Sequence, residues 1–389
     1  MPNRTIEAII PGRLWCAAPK NADRRVMHGA SNTKRTRLIA LPVQTIEIPD
    51  GVILKRGVTE VMIKGTGAAD AVKRVLDAAA AGGASVNEIR RLFDRSYASW
   101  VDALVHNLHS RRLLVPKNSR ASPPSCKESP LEVFYWHFGK TMEQATAQLN
   151  RIRLVIIGIN HIAKQLALAL TASGYGNFQV FDHPRHRNSH FFETNGQLKP
   201  LEWPAPLERP QSWNNNDHDF GDCLIVTSDC SGQQPLIEWN RLCLSRKVHF
   251  FPILLKKMVG YVGPMIIPGE TACYECVTIR QQSHAIDVST ERCIDAESNE
   301  HSIIGFHPSM ATMLGDVAAF ELMRFYGPVV PKQPPGHVLE LNLLAGTMEG
   351  RTVLKTPRCV ACSPFHKTSP PSLSKFLFPQ YAGAPQDRK

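Results

Sequence analysis

The sequence lacks any long hydrophobic run. No segment of the 389-residue chain reaches the roughly 18 consecutive uncharged, apolar residues that a membrane-spanning helix needs. The first residues, "MPNRTIEAIIPGRLW", also lack the apolar stretch of a secretory signal peptide. We therefore expect no membrane segment and a cytoplasmic location, and the length leaves room for two or three domains with a full hydrophobic core.

Closely spaced cysteines are also scarce, and the two pairs that occur share one spacing. Cys273 and Cys276 lie in "CYEC", Cys359 and Cys362 lie in "CVAC", and the remaining cysteines are scattered. In a cytosolic chain, C-x-x-C units indicate metal binding before disulfide formation. Two such units supply the four thiolates of a structural zinc site, which keeps no open position for a catalytic water. We predict this zinc site, with four unrelated cysteines as the alternative.

Several segments lack hydrophobic periodicity and are predicted to be irregular. Residues 1–38 carry eight Lys/Arg against two acidic residues, about half of the net charge of +11, and are interpreted as a basic flexible arm. Residues 117–130 are rich in Pro and Ser and are predicted to be a linker. The histidine-rich residues 182–190 are predicted to form an exposed loop, and residues 368–389 a flexible tail.

Residues 39–116 have the pattern of a winged helix-turn-helix module. Alternating apolar and polar residues predict strands on both sides of the turn at Pro49–Gly51, followed by a further strand over residues 59–64. Three helical segments follow, and the second opens with the capping box Ser85-x-x-Glu88. The segment "RRLLVP" is the candidate closing strand.

Winged helices often bind DNA, but this one lacks the residues that DNA binding needs. The third helical segment, "SYASWVDALVHNLHS", contains Asp102 and has no Arg or Lys before Arg111. A DNA-reading helix would present several Arg, Lys, Asn or Gln side chains to bases and phosphates. Nucleic acid is therefore a disfavoured partner.

Residues 131–367 have the pattern of a larger α/β domain. The first three strand candidates alternate with helical or long loop segments, which predicts a parallel sheet, and the last two are expected to be antiparallel. The candidates are Leu154–Ile157, Phe178–Phe181, Leu224–Thr227, Val248–Leu254, Tyr261–Ile267, Val338–Leu343 and Thr352–Leu354.

The turn after the first of these strands is similar to a dinucleotide fingerprint that has lost glycines. G-x-G-x-x-G lets the backbone approach a phosphate at the start of a helix. Here Gly158 remains, whereas Asn160 and Ala163 replace the second and third glycines. Asp182 and Asp229 end the next two strands, where a ribose-binding acid and a magnesium ligand would lie. The broken pattern disfavours ATP, and the two acids keep ATP binding open.

These features together resemble a known family. "PGETACYEC" and the later "PRCVACSP", behind a Rossmann-like turn, resemble the ThiF/MoeB superfamily of ubiquitin-activating-enzyme-like proteins. The order of winged module, linker, Rossmann-like domain and "VLELNLLAG…TVLKTPRCVAC" is similar to ThiF-like partner proteins of azoline-forming peptide biosynthesis. The resemblance implies a partner of a YcaO-type cyclodehydratase, and it makes a homodimer or a larger complex an expectation. Adenylating members carry a second Asp that "HPRHRNSHFF" does not supply.

The resemblance also implies that the winged module binds a precursor leader peptide, which adds a strand to the sheet edge. Backbone hydrogen bonds then give affinity, and alternating side-chain pockets give register. The edge would be Glu60, Val61, Met62, Ile63 and Lys64, and the groove wall would come from Tyr97, Trp100, Val101 and Leu104.

Three functions follow in order of preference. The first is a protein without catalysis of its own, which binds the leader and presents the precursor to the cyclodehydratase, with structural zinc and no ATP. The second is an adenylating enzyme that activates a peptide carboxylate with ATP. The third is a transcription factor.

Overall fold

The structure is a computed structural model that describes most of the chain. The described residues are 7–9, 36–80, 82–117, 128–199, 202–203, 210–214, 219–229, 233–283, 286–297, 305–329, 332 and 334–364. The predicted tail over residues 368–389 lies outside them. So do the predicted arm and linker, apart from residues 7–9, 36–38, 117 and 128–130.

The chain forms two compact units, Met1–Gln144 and Ala145–Lys389. The predicted linker puts the domain boundary at residues 130/131, whereas the helix that starts there belongs to the first unit. That helix packs within the first unit because the Trp136 side chain lies in its core and donates a hydrogen bond from Nε1 to the Arg112 carbonyl oxygen at 2.9 Å.

The first unit combines short strands with helices, and it contains the predicted elements of residues 44–116 in the predicted order. Its strands are β1 (Glu7–Ile9), β2 (Leu38–Ala40), β3 (Gln44–Ile48), β4 (Gly51–Arg56), β5 (Thr59–Lys64) and β6 (Leu114–Pro116). Its helices are α1 (Ala68–Ala80), α2 (Val86–Arg90), α3 (Ala98–Ser110) and α4 (Pro130–His137), and α5 (Met142–Leu149) spans the division between the units.

Four of these strands form one sheet in the order β1-β5-β4-β3. β4 is antiparallel to both of its neighbours, whereas β1 is parallel to β5 with Ala8 opposite Ile63. The segment predicted to be a flexible arm therefore contains a strand, because the outer edge of β5 offers backbone groups with which it can pair. β2 and β6 form a separate antiparallel pair.

The core of the first unit lies between this sheet and the helices. The inward residues of β4 and β5 pack with those of α1, α2 and α3. The helical spacing of Val72, Val75, Leu76 and Ala79 predicts one apolar stripe on α1; Leu76 is partly buried and the other three are completely buried. The predicted capping box is confirmed: the Glu88 amide donates to Ser85 Oγ at 3.3 Å, and the Ser85 amide donates to Glu88 Oε2 at 2.7 Å.

The second unit is built on an eight-stranded sheet in the order β14-β13-β12-β11-β10-β7-β8-β9. Its strands are β7 (Leu154–Ile157), β8 (Phe178–Asp182), β9 (Gln211–Ser212), β10 (Cys223–Ser228), β11 (His249–Lys256), β12 (Val259–Val262), β13 (His337–Asn342) and β14 (Thr347–Thr352). Its helices are α6 (His161–Ala172), α7 (Gln234–Arg246), α8 (Tyr274–Gln282), α9 (Val288–Glu297) and α10 (Pro308–Tyr326).

The predicted α/β class is confirmed for this unit. The five neighbouring strands β9, β8, β7, β10 and β11 are parallel to one another. β12, β13 and β14 are antiparallel to their neighbours. The strand predicted at residues 352–354 instead lies at Thr347–Thr352, because the exposed "TMEGRT" has no apolar pattern to mark its position and its register comes from the turn after β13.

Among the described residues, no helix has both the length and the apolar composition required to cross a membrane.

Candidate functional site

The broken fingerprint lies where the strand order of the sheet reverses. After β7 the chain forms β8 on one side of β7, and it later forms β10 on the other side. The carboxyl ends of β7 and β10 therefore form a topological switch point. Open α/β sheets bind their ligands at such points. Gly158 and Asn160 follow β7 here, and Asp229 follows β10.

Asn160 fills the turn with its own side chain. It is completely buried and caps α6, since the Ala163 amide donates to its Oδ1 at 2.9 Å. Its Nδ2 donates to the carbonyl oxygens of His186 and Thr227, each at 3.1 Å, and to Thr227 Oγ1 at 2.9 Å. One asparagine therefore joins the ends of β7 and β10 and the segment after β8.

Other backbone amides of the turn are also paired within the chain. The Gly158 amide donates to the Phe181 carbonyl oxygen at 2.9 Å, and the Ile159 amide to the His186 carbonyl oxygen at 3.2 Å. The His161 amide, at the first position of α6, donates to Asp229 Oδ2 at 3.0 Å. A phosphate at a helix start is bound by amides of this kind, and here they already have partners.

Gly158 itself is required by packing. Its φ is +125°, and an added Cβ would lie 2.7 Å from both Asn160 Nδ2 and Thr227 Oγ1. The backbone of this residue therefore approaches protein atoms too closely for a side chain to fit.

The two carboxylates that could serve a nucleotide are held by side chains. Asp229 is 2% exposed and accepts hydrogen bonds from the His161 ring Nδ1 and from Asn188 Nδ2, each at 3.1 Å. Asp182 accepts two bonds from Arg187, from Nε at 2.8 Å and from Nη2 at 2.6 Å. Such two-point guanidinium–carboxylate pairs are among the stronger polar contacts in proteins.

The prediction that residues 182–190 form an exposed loop is correct only in part, because buried and exposed residues alternate along this segment. His186 is completely buried, and its Nε2 accepts a hydrogen bond from Trp239 Nε1 at 2.8 Å. Burial lowers the pKa of His186 to about 3, so the ring is neutral and able to accept this bond. Sequence reasoning therefore missed the partners of the site in this segment, Arg187 and Asn188, because a polar composition hid residues that fold over the sheet edge.

The four predicted cysteine ligands lie together in the second unit. Their sulfur atoms are all within 4.8 Å of one another, and three of the residues are buried. The Sγ–Sγ distance is 3.9 Å from Cys273 to Cys276, and it is 3.5 Å both from Cys273 to Cys359 and from Cys276 to Cys362. A tetrahedron with metal–sulfur bonds of about 2.3 Å has edges of about 3.8 Å. The four cysteines are thus positioned to hold a metal ion, consistent with zinc.

Local structure supports each half of this metal site. Cys273 is the N-cap of α8 and Cys276 lies in its first turn, while Cys359 and Cys362 lie on turns beyond β14. The Thr356 amide points to Cys276 Sγ at 3.3 Å. Hydrogen bonds from the Cys273 thiol and this amide lower the pKa of Cys276, which favours the thiolate that binds metal.

The predicted peptide-binding residues divide into core and surface. Val61, Ile63, Val101 and Leu104 are at most 4% exposed and form part of the core beneath β5. The surface group is Glu60, Met62, Lys64, Tyr97 and Trp100, which are partly or largely exposed. The outer edge of β5 pairs with β1. The core residues hold β5 in place, and only the surface group is accessible to a ligand.

Comparison with family models and with curated proteins gives no match. The fold is similar to that of the heterocyclase TruD, with a TM-score of 0.54 and 18% identity over 84% of this chain and 43% of that one. It is also similar to Escherichia coli MccB with AMPCPP and MccA, with a TM-score of 0.58 and 15% identity over 84% and 99%. MccB, the microcin C7 biosynthetic enzyme, in complex with N-formylated MccA gives the same values. This chain therefore spans less than half of the heterocyclase.

Proposed function

We propose that this protein binds the leader of a ribosomally made precursor peptide and presents it to a separate YcaO-type cyclodehydratase. The partner enzyme then binds ATP and converts Cys, Ser or Thr side chains of the precursor to azolines. This chain supplies peptide affinity from its first unit, a winged helix-turn-helix module in this interpretation. Its second unit is a scaffold held by a structural zinc ion at Cys273, Cys276, Cys359 and Cys362.

The observation that carries the non-adenylating role is the self-paired turn at Asn160. An ATP phosphate at the start of α6 would have to displace the Asn160 side chain and compete with Asp229 for the His161 amide. A ribose hydroxyl would have to compete with Arg187 for Asp182. Displacement of the Asn160 or Asp229 side chain would leave a buried polar atom without a partner, at a cost of about 1–3 kcal/mol for each.

The structural neighbours support the peptide-modifying context. One is described as a heterocyclase and another as a heterocyclase in complex with substrate and cofactor, the second with a TM-score of 0.53 and 16% identity over 84% of this chain and 39% of that one. MccB is described as a biosynthetic enzyme of microcin C7 and was solved with MccA. These neighbours, together with the sequence resemblance to ThiF-like partner proteins, support a precursor peptide as the ligand of this chain.

An adenylating enzyme is the second candidate, and a specific observation favours it. MccB, which is similar along 99% of its own length, was solved with the nucleotide AMPCPP. Asp182 and Asp229 stand at the strand ends where nucleotide-binding carboxylates belong. In this scheme the chain would activate a peptide carboxylate, and the Asn160 side chain would have to leave the turn first.

Reconstitution distinguishes the two candidates. A candidate precursor peptide and a candidate YcaO-type cyclodehydratase from the same source are incubated with Mg–ATP, with and without this protein. We expect ring formation, detected as loss of water in the mass of the precursor, to depend on this protein, while the isolated protein catalyses no ATP–pyrophosphate exchange. Exchange by the isolated protein with the precursor would overturn the non-adenylating role. Ring formation at the same rate without it would overturn the partner role.

A further inference from the structure

The outer edge of β5 already has an occupant within the same chain. One side of β5 pairs with β4 along its whole length, from Arg56 opposite Thr59 to Gly51 opposite Lys64. The other side pairs with β1, in parallel, with Glu7 opposite Met62 and Ile9 opposite Lys64. This is the edge proposed above for the precursor leader. Because one side of a strand can pair with only one neighbour at a time, β1 and a leader exclude each other on Met62–Lys64.

The contact is short enough to be exchanged. β1 pairs through three residues, against six for β4, and parallel pairing is slightly weaker per residue than antiparallel pairing. Among the described residues, no strand covers this side of β5 from Thr59 to Val61. A leader can therefore begin pairing beside β1 and extend along the edge as β1 leaves.

The connection along the chain makes β1 a strong competitor despite its length. Residues 10–35, a stretch of 26, lie between β1 and the next described residue, Thr36. A tethered segment of this kind acts at an effective concentration on the order of millimolar. A weak strand can thus hold the edge against non-specific extended peptides and still yield to a leader that makes further contacts.

From this pairing we infer that Glu7–Ile9 is an internal substitute for the precursor leader, which closes the peptide-binding edge until a leader displaces it. The inference rests on the proposed function and adds its regulation. It also assigns the direction of the bound strand: the internal occupant runs parallel to β5. The opposite edge of the sheet, β3 with its exposed residues Gln44–Glu47, is then not the leader site.

The test uses the N-terminal segment itself as the probe. A fluorescein-labelled peptide of residues 1–15, "MPNRTIEAIIPGRLW", is titrated with three full-length proteins: the natural chain, the double variant Ala8→Pro, Ile9→Pro, and the control Ala8→Thr, Ile9→Val. Proline removes the backbone donors at both positions, so at least one ladder hydrogen bond of β1 is lost, while the control keeps every donor. Thermal melts and zinc content show that all three fold.

We expect the proline variant to bind the probe about ten-fold or more tightly than the natural chain, because the internal strand no longer competes. The control should behave like the natural chain, and a probe with proline at positions 8 and 9 should not bind. Equal affinity of the natural chain and the proline variant, or no binding to either, would overturn the inference.

Titration of the same proteins with the precursor peptide separates this inference from the proposed function. Tighter precursor binding to the proline variant than to the natural chain supports both. If the probe behaves as expected and the precursor binds neither protein, the proposed function fails and the internal pairing stands. If the precursor binds both proteins equally, the proposed function stands and the inference fails.

Discussion

At the scale of single residues, Asn160 changes what the turn can do. Glycine at this place would leave amides open to a ligand. The asparagine side chain instead accepts a hydrogen bond from an amide of α6 and donates to three acceptors in neighbouring segments. The same atoms also explain why Gly158 remains, since a Cβ there would collide with the asparagine and with Thr227. The turn keeps its geometry, while the amides of Gly158, Ile159, His161 and Ala163 are occupied by acceptors within the chain.

Replacing Asn160 with alanine should destabilise the second unit by about 2 kcal/mol, the combined effect of a lost N-cap and of buried acceptors left without a donor. Urea unfolding followed by tryptophan fluorescence measures this change. Asn195, which is exposed and whose side chain accepts one local hydrogen bond, provides the control Asn195→Ala with a change of less than about 0.5 kcal/mol. Equal stability of the two variants would show that the Asn160 network contributes nothing.

His186 should make folding sensitive to acid. The unfolded chain takes up a proton at this ring near its ordinary pKa of 6.5, whereas the folded chain does so only near 3. The free energy of unfolding therefore falls as the pH drops below about 6.5, at up to about 1.4 kcal/mol per pH unit from this group. In His186→Gln the amide oxygen still accepts from Trp239, and we expect a shallower loss of stability between pH 6.5 and 5. An unchanged slope would contradict this role.

The sequence identifies some residues of the site and hides others, for physical reasons. The metal-binding cysteines can be predicted from their spacing, because two thiolates on one turn need a C-x-x-C unit. The loss of glycine at Asn160 is equally visible. The partners Arg187 and Asn188 are not, because a hydrogen bond between residues distant in the chain leaves no local pattern, and polar residues that close a sheet edge have the same composition as a solvated loop.

At the scale of elements, the helices were predictable because their signals are local. The capping box at Ser85 appears in the structure as expected, and so does the buried stripe of α1. The strands β7 and β10 were also predictable, since they are buried parallel strands and such strands are largely continuous apolar runs. β1 was not, because three residues without periodicity carry no strand signal and the partner strand lies more than 50 residues away in the sequence.

Loss of the capping box should weaken the first unit measurably. We expect Ser85→Ala to lower the free energy of unfolding by about 1 kcal/mol, since the Glu88 amide loses its acceptor. Ser99→Ala, at an exposed position on α3, should change it by less than about 0.5 kcal/mol. Equal effects of the two substitutions in urea unfolding would show that the Ser85 cap does not stabilise α2.

At the scale of the whole molecule, the four cysteines connect distant parts of the second unit. Cys273 and Cys276 belong to the start of α8, and Cys359 and Cys362 lie 86 residues further along the chain in each case. Metal bound there closes a long loop and adds its binding free energy to the stability of the fold. Spacing alone predicts this connection, whereas the position of α4 within the first unit depends on the packing of Trp136 and could not be predicted.

Removing the metal should therefore lower the stability of the second unit by several kcal/mol. We expect one zinc per chain by atomic emission in the natural protein and less than a tenth of that, roughly, in Cys359→Ser, with a lower thermal midpoint. Cys293→Ser, at an exposed cysteine outside the cluster, should keep both the zinc and the midpoint. Full stability of Cys359→Ser without metal would contradict a structural role for the site.

Calorimetric titration of the zinc-loaded natural protein with Mg–ATP tests the non-adenylating role most directly, because adenylation requires ATP binding. The amides of Gly158, Ile159, His161 and Ala163 are paired, Asp182 is bound to Arg187, and Asp229 is buried beneath His161 and Asn188. We therefore predict no saturable heat of binding, both for the protein alone and with the precursor peptide present. Saturable binding at micromolar ATP that is lost in Asp229→Ala would contradict this prediction and would make the adenylating enzyme the better description of the molecule.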